Sequence, residues 1–332
     1  AQPAHAGRDV VVALLFLSPG RHAGPGGDIA EICAASPART HCTGLIGTHP
    51  LALAALGELV TEKSGVLNLG VEGIMYGSAF VGIATAAQTG SLTAGLIAAL
   101  VSGALAGLIF AFTTVTLGVN QHVAGLGLTL LMISLCNTAN RIMFTSDGGQ
   151  VRVDPWQPLN FGGPIFSQYW LTYTTFLIAV PFVWWLLWKS GLGLKIRAVG
   201  ENPEAADVAG IGVAKTRYTA IIIGSLFMAL GGAFITLAFV GTFTVNIING
   251  RGWVALALVI FGRWTIGRLL IGAALFSLVN AGQLQLRLLP SFADVPFEIL
   301  LALPFLAVIV GLAISGRNVP YPGAYLKPYK RL

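Results

Sequence analysis

Long apolar runs separated by short polar breaks dominate this sequence. In order they predict nine hydrophobic helices, over 44–61, 67–88, 91–117, 120–144, 167–188, 216–240, 247–263, 265–287 and 295–315. Most of these runs approach or exceed roughly 20 residues, the length an α-helix needs to cross the hydrocarbon of a bilayer. Two are weaker. Pro50 and Glu58 interrupt the first, and Asn246, Asn249, Gly250 and Gly252 crowd the start of the seventh. The seventh reads as a broken or re-entrant helix, a form tolerated at depth only where protein or water covers the backbone. The expected fold class is all-α, a polytopic transmembrane helix bundle of about 8–10 spans.

Charge strengthens this reading. Only 10% of the 332 residues are charged and 55% are hydrophobic, with a mean hydropathy of +0.79. A soluble domain carries about 25% charged residues. No Asp, Glu, Lys or Arg lies between Glu72 and Arg141, Asp154 and Lys189, Arg217 and Arg251, Arg268 and Arg287, or Glu298 and Arg317. A water-soluble protein is thereby excluded.

The net charge of +6 is explained by loops rather than by a nucleic-acid partner. Lys189, Lys195, Arg197, Lys215 and Arg217 share one loop, Arg263 and Arg268 another, and Arg317, Lys327, Lys330 and Arg331 follow the last run. Alternating spans place all three groups on one face. By the positive-inside rule that face is cytoplasmic, and so is the C-terminus. The loop 145–166, with Asp147, Arg152 and Asp154, falls on the other face. The expected organisation is an atypical, poorly ordered leader over 1–43, a transmembrane domain over 44–316 with a cytoplasmic loop at 189–217, and a cytoplasmic tail over 317–332. Cys33, Cys42 and Cys136 have no metal-ligand spacing and imply neither a disulfide framework nor a redox site.

No paired carboxylates, Ser/His/Asp set or metal cluster is legible, so no catalytic or metal-binding residues are expected. Two loops carry the remaining signal. In the first, Asn68 and Glu72 stand four apart at the start of a long apolar run, on one helix face. Glu72 reads equally as a charge favoured by a helix N-terminus or as a polar contact with a translocation path or neighbouring loop. In the second, Glu201-Asn202-Pro203-Glu204-Ala205-Ala206 leads to Gly210. Asn202 is a good N-cap, Pro203 a good first helical residue, and Gly210 a good terminator. The pattern predicts a short helix between two spans, either docking on a partner or lying at the headgroups. Asn120, Gln121, His122, Asn137, Asn246 and Asn249 join Asn68 and Glu72 as candidate path residues, because polar groups in apolar spans are costly and often functional. Helix–helix hydrogen bonding is the competing reading. Gly103 with Gly107, and Ser225 with Ala229, have the small-residue spacing that lets helices approach closely.

From about residue 50 onward the chain resembles permease subunits of bacterial ABC importers, in the branch that serves branched-chain amino acids, simple sugars and nucleosides. The likeness is carried by Gly65-Val66-Leu67-Asn68-Leu69-Gly70-Val71-Glu72-Gly73, Asn120-Gln121-His122-Val123-Ala124-Gly125, Gly200 to Ala206 with Ala209-Gly210-Ile211, and Val259-Ile260-Phe261-Gly262-Arg263-Trp264. It is nearest the nucleoside and simple-sugar subgroup. The resemblance implies alternating access and a second permease subunit, as homo- or heterodimer. It also implies a cytoplasmic ABC ATPase docked on Glu201 to Ile211, a substrate-binding lipoprotein outside, and the bacterial inner membrane as location. No Walker-type phosphate loop is present. The chain is expected to need no cofactor of its own, with ATP used by the partner. A stand-alone secondary transporter or channel for a small polar solute is the alternative.

Overall fold

The computed structural model describes residues 38–144, 151–159, 168–286, 296–315, 321–327 and 329. The described chain is helical, and its only β-type pairings among those residues are the isolated bridges Arg152–Thr242 and Leu159–Gln168. Helix α1 is Ala38–Glu62, α2 is Val71–Thr89, and α3 is Leu92–Ala111 continued by a π-turn to Thr116. Helix α4 is Gln121–Met143, and α5 runs from Trp170 to Trp188 through a π-segment at Thr175–Ala179. Two short helices follow, α6 (Gly191–Glu201) and α7 (Pro203–Val208). Then come α8 (Val213–Phe234, π-wound on to Val240), α9 (Arg251–Phe261), α10 (Ile266–Leu286) and α11 (Phe297–Ser315). Each of the nine predicted runs coincides with one of these helices. Residues 1–37 of the expected leader and the tail residues Arg317, Lys330 and Arg331 lie outside the described residues, and α1 already begins at Ala38.

Among the described residues, α3, α4, α5, α8 and α10 are long and apolar enough to cross a membrane. The first run, weakest by sequence, is the most central. Every residue from Leu51 to Phe80 is buried, except Lys63 and Leu69, which are half-buried. Helix α1, the turn after it and the first half of α2 therefore form the axis of the bundle. A helix enclosed by protein meets no lipid. It can then carry Pro50, His49 and Glu58 among alanines and still be buried, provided its polar groups find partners.

Close approach of backbones builds that axis. A Cβ on Gly57 would stand 2.3 Å from the Gly224 carbonyl oxygen, and one on Gly224 would stand 2.5 Å from that of Gly57. The two small-residue pairs noticed in the sequence are each other's partners. A Cβ on Gly103 would meet that of Ala229 at 2.3 Å, and one on Gly107 would meet Ser225 Oγ at 2.3 Å. Helix α8 is thus clamped between α1 and α3.

The loops sort to two ends. The turn after α1, the α6–α7 linker, the turn between α9 and α10 and the segment 321–327 gather at one end. At the other, 151–159 lies along the end of α8, with Val153 N–H donating to Gly241 O (2.9 Å) and Trp156 N–H to Leu237 O (3.1 Å). This sorting matches the alternation predicted from charge.

The seventh run is broken as expected. Beyond Gly241 (φ +72°) the chain is non-helical to Gly250, with φ of +64° at Asn246, +50° at Asn249 and +79° at Gly250. Helix α9 then has only 11 residues, roughly 16 Å at 1.5 Å per residue. Its first turn is held by α2. Gly250 N–H donates to Glu72 Oε1 (2.8 Å) and Gly252 N–H to Oε2 (2.7 Å). A Cβ on Gly252 would lie 2.6 Å from Glu72 Cα, so only glycine allows this approach.

These contacts make two outcomes testable. Gly57→Ala should lower the melting temperature of the detergent-purified protein, since overpacking costs about 1–3 kcal/mol. Gly127→Ala, with nothing within 4 Å of its added carbon, should not. Glu72→Ala should destabilise by about 1–3 kcal/mol for each amide left bare, with Glu72→Gln between it and wild type. Thermal denaturation followed by size-exclusion chromatography measures both.

Candidate functional site

The structure divides the candidate residues into two groups. One surrounds the unwound segment before α9. Glu72 and Tyr76 share a face of α2, and that face meets residues 243–252 and α4. The Tyr76 hydroxyl donates to Asn137 Oδ1, and the backbone of Asn246 lies close to the tyrosine oxygen. Phe243 packs edge-on against Tyr76 and Phe80, with ring centroids 5.2 and 5.1 Å apart. Asn137 is half-buried, whereas Asn246 and Asn249 are exposed. The grouping offers amide donors and acceptors beside aromatic rings, with Glu72 occupied by the α9 amides. Sequence reading found Glu72, Asn137, Asn246 and Asn249. It missed Tyr76, although Tyr76 sits four residues beyond Glu72, and it missed Phe243, which carried no signal.

The second group lies at the end where the turns gather. Asn68 is fully buried. Its N–H donates to Glu58 Oε1 (2.8 Å) and its Oδ1 accepts from Gly70 N–H (2.9 Å). Gln121 Oε1 accepts from Leu67 N–H at 2.8 Å. These two residues pin the buried turn between α1 and α2, which is the helix-to-helix bonding that competed with a path role. Asn120 caps α4 by accepting from His122 N–H (2.9 Å), and the Asn120 and His122 side chains are exposed.

The short helix α7 forms as predicted. Asn202 Oδ1 accepts from Ala205 N–H (3.0 Å), Pro203 opens the helix, and Gly210 at φ +81° ends the turn. Its two faces differ. Ala206 is buried with Val199 and Val213, so it faces inward. Glu204, Ala205, Val208 and Ala209 are exposed, and Val208 is 91% exposed. Val208 was not among the residues singled out by sequence, because a helix of 6 residues has too few turns to show a periodic face.

Helix α6 seats this pair on the bundle axis. A Cβ on Gly200 would lie 2.1 Å from Lys63 O, so the end of α6 rests directly on the turn that follows α1. Burial pushes the Lys63 ammonium below the usual lysine range. Glu201 draws it back up and Arg197 adds to the depression. At the residue before Lys63, Trp264 Nε1–H donates to Glu62 Oε2 (2.6 Å), tying the α9–α10 turn to the same place. Trp264 is 1% exposed, and its backbone and that of Arg263 have positive φ (54° and 50°). Among the described residues no group of His, Cys, Asp or Glu is arranged to hold a metal ion.

Comparison with known proteins identifies the family. TsgC13 of Haloferax volcanii, described as a putative glucose ABC transporter permease protein, is 40% identical over 71% of this chain and 74% of its own. The guanosine ABC transporter permease protein NupQ of Bacillus subtilis is 34% identical over 86% of this chain and 94% of its own. A solved chain described as a metal-chelate type ABC transporter in an inward-facing conformation shares the fold with a TM-score of 0.50. It covers 91% of this chain and 95% of its own, at 21% identity. Residues 42–315 match the family described as branched-chain amino acid transport system, permease component. The chain is a multi-pass membrane protein of that permease family, a transport subunit rather than an enzyme or a stand-alone transporter.

Proposed function

We propose that this permease imports a small, neutral, polar solute, a nucleoside or a simple sugar, and that α7 is where a separate ATPase delivers its work. The solute class rests on the relatives named above and on the Tyr76, Asn137, Asn246 and Phe243 grouping. Amides and aromatic faces suit hydroxyl-rich rings and bases, and the carboxylate there is engaged by α9. Partners in this reading are a cytoplasmic ABC ATPase, a second permease subunit and an extracytoplasmic binding lipoprotein, with the α6–α7 end on the cytoplasmic side of the bacterial inner membrane. ATP is used by the partner.

The observation that carries the coupling role is Val208. Val208, left 91% exposed, adjoins the exposed Ala205 and Ala209, so the outward face of this loop helix presents a small contiguous apolar patch suited to burial in a partner's groove. Glu204 borders it on the same outward face, while Ala206 fixes the helix from beneath.

The prediction concerns the purified complex in liposomes. Ala205→Trp or Val208→Asp should cut uptake roughly tenfold or more, on the scale of losing one well-packed interface anchor. Ala206→Ser, on the inward face, should leave ATPase binding nearly unchanged. Uptake and ATP hydrolysis measured together decide this. Wild-type coupling in the two outward variants would overturn the reading.

A further inference from the structure

The segment 321–327, with Tyr329, lies across the end of the bundle and bonds to two different parts of it. Toward the coupling helices, Ala324 N–H donates to Gly200 O (2.8 Å), Gly323 N–H donates to Glu201 Oε2 (3.2 Å), and the Tyr329 hydroxyl donates to Asp207 Oδ2 (3.1 Å). Toward the bundle, Leu326 N–H donates to Gly65 O (3.2 Å), and Arg217 Nη2 donates to Lys327 O (3.4 Å). Tyr321 and Tyr325 stack edge-on against Trp264, with centroids 5.0 and 5.9 Å away. Trp264 in turn holds Glu62. The segment is shaped for this course. Leu326 has φ +63°, and a Cβ on Gly323 would lie 2.5 Å from Glu201 O.

We propose that this segment is a strap that makes α6 and α7 one body with the α1–α2 turn and the α9–α10 turn. Its residues are positioning residues for transport, acting through α7. The argument is one of stiffness. Helix α7 has 6 residues and buries only Ala206, so it cannot resist a lateral push through its own packing. A short helix with one inward side chain opens easily. The strap supplies contacts on both sides of the hinge at Asn202. It reaches Gly200 and Glu201 before the hinge and Asp207 after it, and then anchors them to Gly65, Arg217 and Trp264. Arg217 stands at the start of α8, the helix clamped between α1 and α3. A displacement of α7 is thereby carried to the bundle at three further places, beside the seat of Gly200 on the α1–α2 turn, the Ala206–Val199–Val213 contact and the peptide at 209–212.

The inference rests on the coupling role of α7, and its test separates the two. The complex is purified through a tag on this chain and reconstituted with ATPase and binding protein. Strap variants are Gly323→Val, Tyr325→Ala and Tyr329→Phe, with Tyr325→Phe as the conservative control and Val208→Asp as the docking control. ATPase co-purification, uptake of radiolabelled guanosine and of glucose per ATP hydrolysed, and amide exchange over 203–209 are read together. The strap variants are expected to keep the ATPase bound. Gly323→Val and Tyr325→Ala should lower uptake per ATP by roughly fivefold or more, and amide exchange over 203–209 should quicken by about tenfold. Tyr325→Phe should restore both.

Wild-type exchange and coupling in all three strap variants would overturn the strap. If Gly323→Val and Tyr325→Ala fail to assemble, the milder Tyr329→Phe decides. It removes one hydroxyl, and unchanged exchange over 203–209 then refutes the inference. Intact ATPase binding and uptake in Val208→Asp would refute the coupling reading itself, whereas loss there beside normal strap variants refutes the strap alone.

Discussion

Inside an apolar bundle a helix cannot be interrupted unless something accepts the hydrogen bonds of the amides it releases. The chain interrupts one between Gly241 and Gly250, and Glu72 accepts. A carboxylate suits the task for two reasons. It has an oxygen for each of two N–H groups, and its charge opposes the positive end of the helix dipole. Arg251 stands beside it and compensates its charge further. From this contact the remaining placements follow in order. Glu72 fixes where α9 starts, and the length of α9 fixes where Trp264 arrives. Trp264 then meets Glu62 and, from the other side, Tyr321 and Tyr325. One carboxylate is thus the first link in a series that ends beside the coupling helices.

The sequence showed the helices because hydrocarbon leaves a coarse signature: charge is absent wherever a span must pass. It showed α1 only weakly for the same reason. Hydropathy measures fitness for lipid, and α1 is surrounded by protein, so Pro50 and Glu58 weakened a signal that did not apply to it. Local chemistry was also legible. The Asn202 cap, Pro203 start and Gly210 stop lie within a few helical turns of each other, and all three act as their residue types suggest.

Pairings across the chain were not legible. Glu72 was visible as a residue with two readings, but its partners Gly250 and Gly252 are far along the sequence and have no side chains to mark them. The two small-residue motifs were each visible, yet nothing in either names the other. Tyr76 looked like one more aromatic in an apolar run until Asn137 and the turn at Asn246 were brought to its hydroxyl. Asn68 and Gln121 drew attention as amides at the edges of apolar runs and proved to be pins for the α1–α2 turn. Amide side chains serve backbone and solute with the same atoms, so residue type alone does not separate the roles.

Glycine contacts also set which movements the bundle permits. At Gly57–Gly224 and at Gly103–Ala229 the helices approach until added carbons would overlap. Surfaces that close can pivot about the contact. They cannot slide, because translation along the axis drives the next side chain into the opposing backbone. Phe227 is such a neighbour, its Cβ only 3.1 Å from where a Cβ on Gly57 would stand. Helices α1, α3 and α8 therefore act as one unit. The interruption at 241–250 joins the end of that unit to α9, and it holds three residues at positive φ just ahead of the helix. Phe243, Ile247 and Ile248 of that linker are buried in the core, and its ends are fixed by Val151 and Val153 at one and Glu72 at the other, so bending is left to the exposed turn positions Val245, Asn246 and Asn249. The rigid and the compliant parts of this permease are thus separated along the chain by where its backbones touch.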